Sequence, residues 1–148
     1  MKTLKFTQKI NAPKERVWDV LWGDDSYKAW TKPFSPDSNV KTDWQEGSSV
    51  WFTDGKESGM YGVINKNVPN EQMTFKHLGM LKDGKELPTD ETTESWSGAI
   101  EDYQLKEQNG VTNLEVSVDT LDDHQDFFDD SFPKALGIVK DLSEKNNI

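Results

Sequence analysis

The sequence predicts an α+β domain: a curved antiparallel sheet of six to seven strands wrapped around one long C-terminal helix, with two short helices after the first strand. Three observations carry that prediction. Residues 3–10 alternate apolar and polar, and apolar residues then recur at helical spacing from Val17. The middle of the chain is a series of strand-like segments broken by Asp54-Gly55, Pro69-Asn70 and Asn109-Gly110, which are turn chemistry. After Thr120 the period changes to three or four, through Phe128, Phe132, Leu136, Val139 and Leu142.

Each element has its own reason. In the first strand Leu4, Phe6, Gln8 and Ile10 share one face, and Thr3, Lys5, Thr7 and Lys9 the other. Pro13 suits the first turn of a helix, where its missing N–H costs nothing. Val17, Trp18, Leu21 and Trp22 form that helix's apolar face, and Gly23 stops it. Asp24 or Asp25 can cap a second short helix carrying Tyr27 and Trp30, ended by Pro33 and Pro36. Val40 to Trp44 is a weak strand. Ser48–Thr53, Gly59–Val68 and Gln72–Leu81 are better ones. Lys82–Glu94 is polar, contains Asp83-Gly84 and Pro88, and reads as an exposed loop or extended hairpin tip. Ser95–Glu107 and Val111–Thr120 make a further pair. In the second of these Leu114, Val116 and Val118 point inward. The last helix starts among Asp122, Asp123, Asp126, Asp129 and Asp130, acids that favour a helix N-terminus. Pro133 either kinks it or moves the start of the main helix to about Ser131.

Composition bounds the chemistry. The 148 residues read as one domain, 1–148, since domains usually hold about 100–200 residues. No cysteine is present, so disulfides, thiolate catalysis and iron–sulfur clusters are out. Seventeen Lys and Arg against 27 Asp and Glu give a net charge of -10, and Arg16 is the sole arginine. That balance argues against nucleic acid and anionic membranes as partners. No apolar run approaches the roughly 18 residues of a membrane span, and no secretory leader is evident, so a cytoplasmic location is expected. With only His77 and His124, and no ligand spacing around them, no metal site and no cofactor are expected. The acidic cluster lacks the pattern of a calcium loop. P-loop, dinucleotide and nucleophile-elbow motifs are absent.

The apolar mass lies in large rings: six Trp, seven Phe and three Tyr. A curved sheet gripping a helix is rarely packed solid, so a cavity between them is expected. Strand alternation gives its candidate wall as Tyr61 or Met60, Phe75, His77, Tyr103, Phe132 and Leu136, with Trp51 and Trp96 as further ring-bearing candidates. Trp18, Trp22 and Trp30 are better explained as helix-to-sheet packing. His77 and Glu101 are the ionisable groups on the same wall and the candidate acid–base pair. The alternative leaves His77 as a satisfied histidine and turns Glu101 outward through a bulge.

The stretch from Ile10 to Leu21, with Ala12-Pro13, Val17-Trp18 and Leu21, resembles the opening of the START/Bet v 1-like (SRPBCC) superfamily. Within it the chain is most similar to the activator of Hsp90 ATPase homologue 1-like (AHSA1-like) family. Trp30, Gly47 before Val50-Trp51-Phe52, Gly62 within Met60–Ile64, and Pro69 to Phe75 continue the likeness over nearly the whole chain. Many family members carry Gly-Trp at the start of the last helix; here the region reads Asp130-Ser131-Phe132-Pro133. The resemblance implies a helix-grip fold and an apolar, lipid- or polyketide-type ligand.

Three functions follow as expectations. The first is a non-catalytic binding protein for a small apolar or aromatic molecule, acting as a monomer or weak homodimer. The second is a cyclase/aromatase- or hydrolase-like enzyme in which His77 and Glu101 move protons. The third is a chaperone-associated module that uses the acidic surface.

Overall fold

A computed structural model describes residues 1–145. Its elements are β1 (Lys2–Ile10), α1 (Lys14–Trp22), α2 (Asp24–Trp30), β2 (Asn39–Lys41), β3 (Ser49–Thr53), β4 (Gly59–Val68), β5 (Gln72–Lys82), β6 (Lys85–Glu86), α3 (Glu91–Glu94), β7 (Ala99–Gln108), β8 (Val111–Thr120) and α4 (Gln125–Glu144). One antiparallel sheet runs β1-β8-β7-β5-β4-β3-β2, and the two-residue β6 pairs only with β5. The sheet grips α4, with the two short helices following β1, as the sequence predicts. The eighth strand is the small β6.

Alternation and turn chemistry explain most of the elements. In β8 Thr112, Leu114, Val116, Val118 and Thr120 are buried, and the residues between them are not. Asn109-Gly110 and Asp83-Gly84 both have positive φ at both positions, as two-residue hairpins demand, and they join β7 to β8 and β5 to β6. Lys82–Glu94 is therefore a tight hairpin followed by the short helix α3, which Asp90 caps by accepting from the Thr93 N–H at 2.9 Å. Trp44, at φ 65°, lies beyond β2, which ends at Lys41.

Several boundaries differ from the sequence reading. Pro13 caps α1 rather than opening it, and its carbonyl accepts from the Arg16 and Val17 N–H groups. Gly23 takes the cap of α2, which leaves Asp24 and Asp25 in the first turn, where their charge still suits the helix dipole. The last strand before β8 starts at Ala99, because α3 and a turn occupy the preceding residues. α4 starts at Gln125 and runs through Pro133 without a break. Thr74 is buried on the outer face: it donates to Asp102 Oδ1 at 2.6 Å, beside the Gln72 and Gln104 amides that donate to the same carboxylate.

Two irregularities in the β4–β5 ladder decide which side chains face inward. Tyr61 pairs with Gly79 and Gly62 with His77, so Leu78 is an extra residue on β5. Ile64 pairs with Phe75 and Lys66 with Thr74, so Asn65 is extra on β4. At Gly62 the strands come so close that a Cβ would lie 2.2 Å from the Lys76 carbonyl oxygen, which requires glycine.

The core centres on Trp22, whose ring lies 5.1 Å from Tyr103, 5.4 Å from Phe75 and 5.4 Å from Trp44. Fully burying a ring such as Phe75 contributes roughly 1.5–3 kcal/mol. α4 buries Phe132, Ala135, Leu136 and Val139. It rests chiefly on β1, α1 and α2, with Phe6 and Phe132 stacked at 4.8 Å. Its C-terminal end is tied down where Asn11 N–H donates to Glu144 at 2.9 Å and Arg16 donates to the Leu142 carbonyl at 2.9 Å. The helix thus leans on the β1 edge, and space remains between its N-terminal half and the β3–β5 side of the sheet.

Candidate functional site

That space is a cavity of about 490 Å³. Trp30, Tyr27, Tyr103 and Phe132 line it and are themselves buried. Met80 (43% exposed) and Phe127 (46% exposed) stand at its mouth. The Leu78 bulge shapes the β5 wall. His77 and Met80 are three residues apart and would face opposite sides of a regular strand; the extra residue lets both line the cavity.

One polar cluster interrupts the apolar lining. His77 pairs with Ala99 across the ladder and Phe75 with Glu101, so Glu101 lies diagonal to His77 on the inner face. His77 Nε2 is 2.9 Å from Glu101 Oε1, and the Tyr103 hydroxyl donates to Glu101 Oε2. The two side chains are 12% and 21% exposed, so the contact is largely shielded from water. An ionised Glu101 assigns the proton to Nε2. Nδ1 is then an acceptor, and it is buried with no partner. The His77 ring packs 5.1 Å from Phe52. Burial, reinforced by the Glu101 charge, pushes the Tyr103 and Tyr27 hydroxyls well above the usual tyrosine range. Both stay protonated, and the Tyr103 hydroxyl acts as a donor. Chemically, the cluster can hold a ligand's polar end, and its imidazole–carboxylate contact has the makings of a proton-transfer pair.

Of the residues the sequence points to, His77, Glu101, Trp96, Tyr103 and Phe132 line the cavity. Glu101 faces inward rather than turning outward through a bulge. Phe75 and Leu136 are fully buried in the core behind the wall. Trp51 and Tyr61 require correction. They pair with each other between the inward residues Val50 and Phe52 on β3, and Met60 and Gly62 on β4, so alternation sends them to the outer face. There Trp51 Nε1 donates to Glu86 at 2.9 Å, and the Tyr61 hydroxyl donates to the Leu87 carbonyl at 3.0 Å. They pin the β6 strap instead of meeting a guest.

Sequence reasoning missed Tyr27, Trp30, Phe34, Phe52, Phe127 and Phe128 on the wall. For Phe52 a signal existed: it pairs with Met60, so choosing Met60 over Tyr61 would have selected Phe52 over Trp51. Trp30 does pack, its N–H donating to the Leu21 carbonyl at 2.9 Å, but its ring also borders the cavity. Among the described residues no group of three or more His, Asp or Glu stands together as a metal site. No helix among them is long and apolar enough to cross a membrane.

The family model for activator of Hsp90 ATPase homolog 1-like protein matches residues 11–132. The chain belongs to this family. With the family comes the Bet v 1-like (SRPBCC) superfamily. The solution structure of the Aha1 dimer from Colwellia psychrerythraea is 21% identical, superposes with a TM-score of 0.72, and is matched over 100% of both chains. CalU16 from Micromonospora echinospora is 16% identical with a TM-score of 0.69, over 97% of this chain and 66% of that one. DynU16, a protein in the dynemicin biosynthetic locus, is 12% identical with a TM-score of 0.69, over 95% of this chain and 46% of its own. At these identities the likeness is one of fold. No curated protein sequence matches the chain.

Proposed function

We propose that this family member binds a small, largely apolar or aromatic molecule of lipid- or polyketide-like character in the cavity between sheet and α4. The observation that carries the reading is the cavity itself: about 490 Å³, walled mainly by rings, with one convergent polar cluster of His77, Glu101 and Tyr103. Binding sites for small molecules have this composition, apolar walls with a few placed polar groups. A fold neighbour in a biosynthetic locus, DynU16, is compatible with it. The test is a titration of the protein with flavonoids, sterols and fatty acids, followed by NMR shifts of the Phe132 and Trp96 rings and by tryptophan fluorescence. Saturable changes below millimolar concentration are expected; their absence for every compound class would sink the reading.

The 2.9 Å His77–Glu101 contact favours one second reading, a cyclase/aromatase- or hydrolase-like enzyme. In it the His77–Glu101 pair would move protons on the bound molecule, with the Glu101 carboxylate facing the guest and His77 holding that carboxylate in place. Turnover of a bound polyketide-type substrate that is lost in His77→Ala, with binding retained, would favour this reading over simple binding.

A further inference from the structure

The cavity wall carries a charge asymmetry that narrows the ligand further. None of the side chains that line it is Lys or Arg. The carboxylate of Glu101 is on the wall, and Asp119 and His124 border the same space. The donors beside Glu101 are already spent. His77 Nε2 and the Tyr103 hydroxyl both serve Glu101. Thr31 donates to the Tyr27 carbonyl at 2.6 Å, and Thr120 to the Leu121 carbonyl at 3.3 Å. His77 Nδ1 is buried even from a water-sized visitor, so the imidazole offers no free N–H to an anion in the cavity.

Glu101, by contrast, has capacity left. A carboxylate has about four acceptor sites. One donor reaches each oxygen of Glu101, which leaves about two sites for a guest. The wall is rich in aromatic rings, among them Trp96, Phe52 and Tyr27, and the π-faces of such rings attract cations. Just outside, the turn that leads into α4 carries Asp122 and Asp123, and the first turn of α4 carries Asp126, in a chain of net charge -10.

We propose that the cavity selects a ligand whose polar end is a hydrogen-bond donor, best a protonated amine on an apolar or aromatic body, and rejects the matching carboxylate. This rests on the binding reading above and adds its head-group chemistry. The ammonium or hydroxyl would donate to Glu101 while the body fills the ring-lined space. A carboxylate in the same place would meet Glu101 with no Lys or Arg on the wall to offset the repulsion, at a site largely shielded from water.

Three probes of one body test it: 2-naphthylmethylamine, 2-naphthylmethanol and 2-naphthoate, titrated into the intact protein by calorimetry at pH 7. The expected order of affinity is amine, then alcohol, then carboxylate, with roughly tenfold or more between amine and carboxylate. In Glu101→Gln the amine's advantage over the alcohol should shrink to within about twofold. Equal binding of all three, or tightest binding of the carboxylate, overturns the head-group inference and leaves the cavity reading standing. Binding of none of them counts against both. The order in the unmodified protein decides by itself should Glu101→Gln fail to fold.

Discussion

Glu101 is the residue on which the site turns, because two neighbours depend on its charge. The Tyr103 hydroxyl gives it a hydrogen bond inside a buried wall. Tyr103→Phe removes that donor and strands one carboxylate oxygen. Urea unfolding should show a loss of about 1–3 kcal/mol, the cost of leaving a partly buried polar group unpaired. Tyr103 and Tyr27 also give the protein a signature in alkali. Burial, then the Glu101 charge, holds both hydroxyls protonated above their ordinary value of 10.0. Above that value the unfolded chain loses protons that the folded chain keeps, so stability is full below about pH 10 and falls as the pH rises further. The fall should be on the order of 1 kcal/mol per pH unit for each tyrosine. Thermal melts from pH 8 to 11 would read it as a Tm that declines only at the alkaline end; a flat Tm would contradict the burial argument. His77 and Glu101 were legible in the sequence as inward residues on separate strands. Their contact was not, since it depends on the pairing of His77 with Ala99 across residues 82–94.

At the scale of elements, α4 contains an avoidable fault. Pro133 lies inside the helix and is exposed, so the carbonyl of Asp129 lacks its usual intrahelical donor. Pro133→Ala restores the bond and removes the ring without disturbing the buried face of Phe132, Ala135 and Leu136. It should stabilise the protein by roughly 1–3 kcal/mol, against the ~3 kcal/mol penalty of proline in an ideal helix interior. A drop in Tm would mean that the helix needs its proline-induced geometry to seat on β1. The far end of α4 is held from outside, by Arg16 on the Leu142 carbonyl. Arg16→Ala should cost about 0.5–1.5 kcal/mol, the range of an ordinary hydrogen bond, read by the same unfolding measurement. The helix was legible from its three-to-four periodicity. Its start was obscured because acidic residues and a proline each suggest a boundary, and packing of Phe128 and Phe132 against Phe34 overrides both.

For the whole molecule, the cavity follows from where the helix leans. α4 rests on β1 and on the two short helices, and the curved sheet carries β3–β5 away from it. A side chain that grows into this space should abolish binding without unfolding the protein. Val118 lines the wall from β8, so Val118→Phe is expected to weaken ligand binding by more than about tenfold, with a stability change of no more than roughly 1–3 kcal/mol. Unchanged affinity in a folded Val118→Phe protein would place the guest elsewhere. The aromatic count announced a ring-rich interior, but it could not say which rings would border space. Trp30 and Phe34 do so because α2 and the segment after it close one end of the cavity.

By itself the sequence determined what is local. Period two gave the strands, period three to four gave α4, and Asn109-Gly110 set a hairpin, because side-chain direction and positive φ are properties of a few neighbouring residues. The family likeness was equally readable, from Ala12-Pro13 and the glycines and rings that follow. Tertiary structure decided which face of each strand meets the cavity. The extra residues Leu78 and Asn65 shift the ladder, sending His77 and Met80 inward together, and the β3–β4 register turns Phe52 in and Trp51 out. Such shifts depend on pairing between distant strands, and a one-residue change reverses every side chain after it.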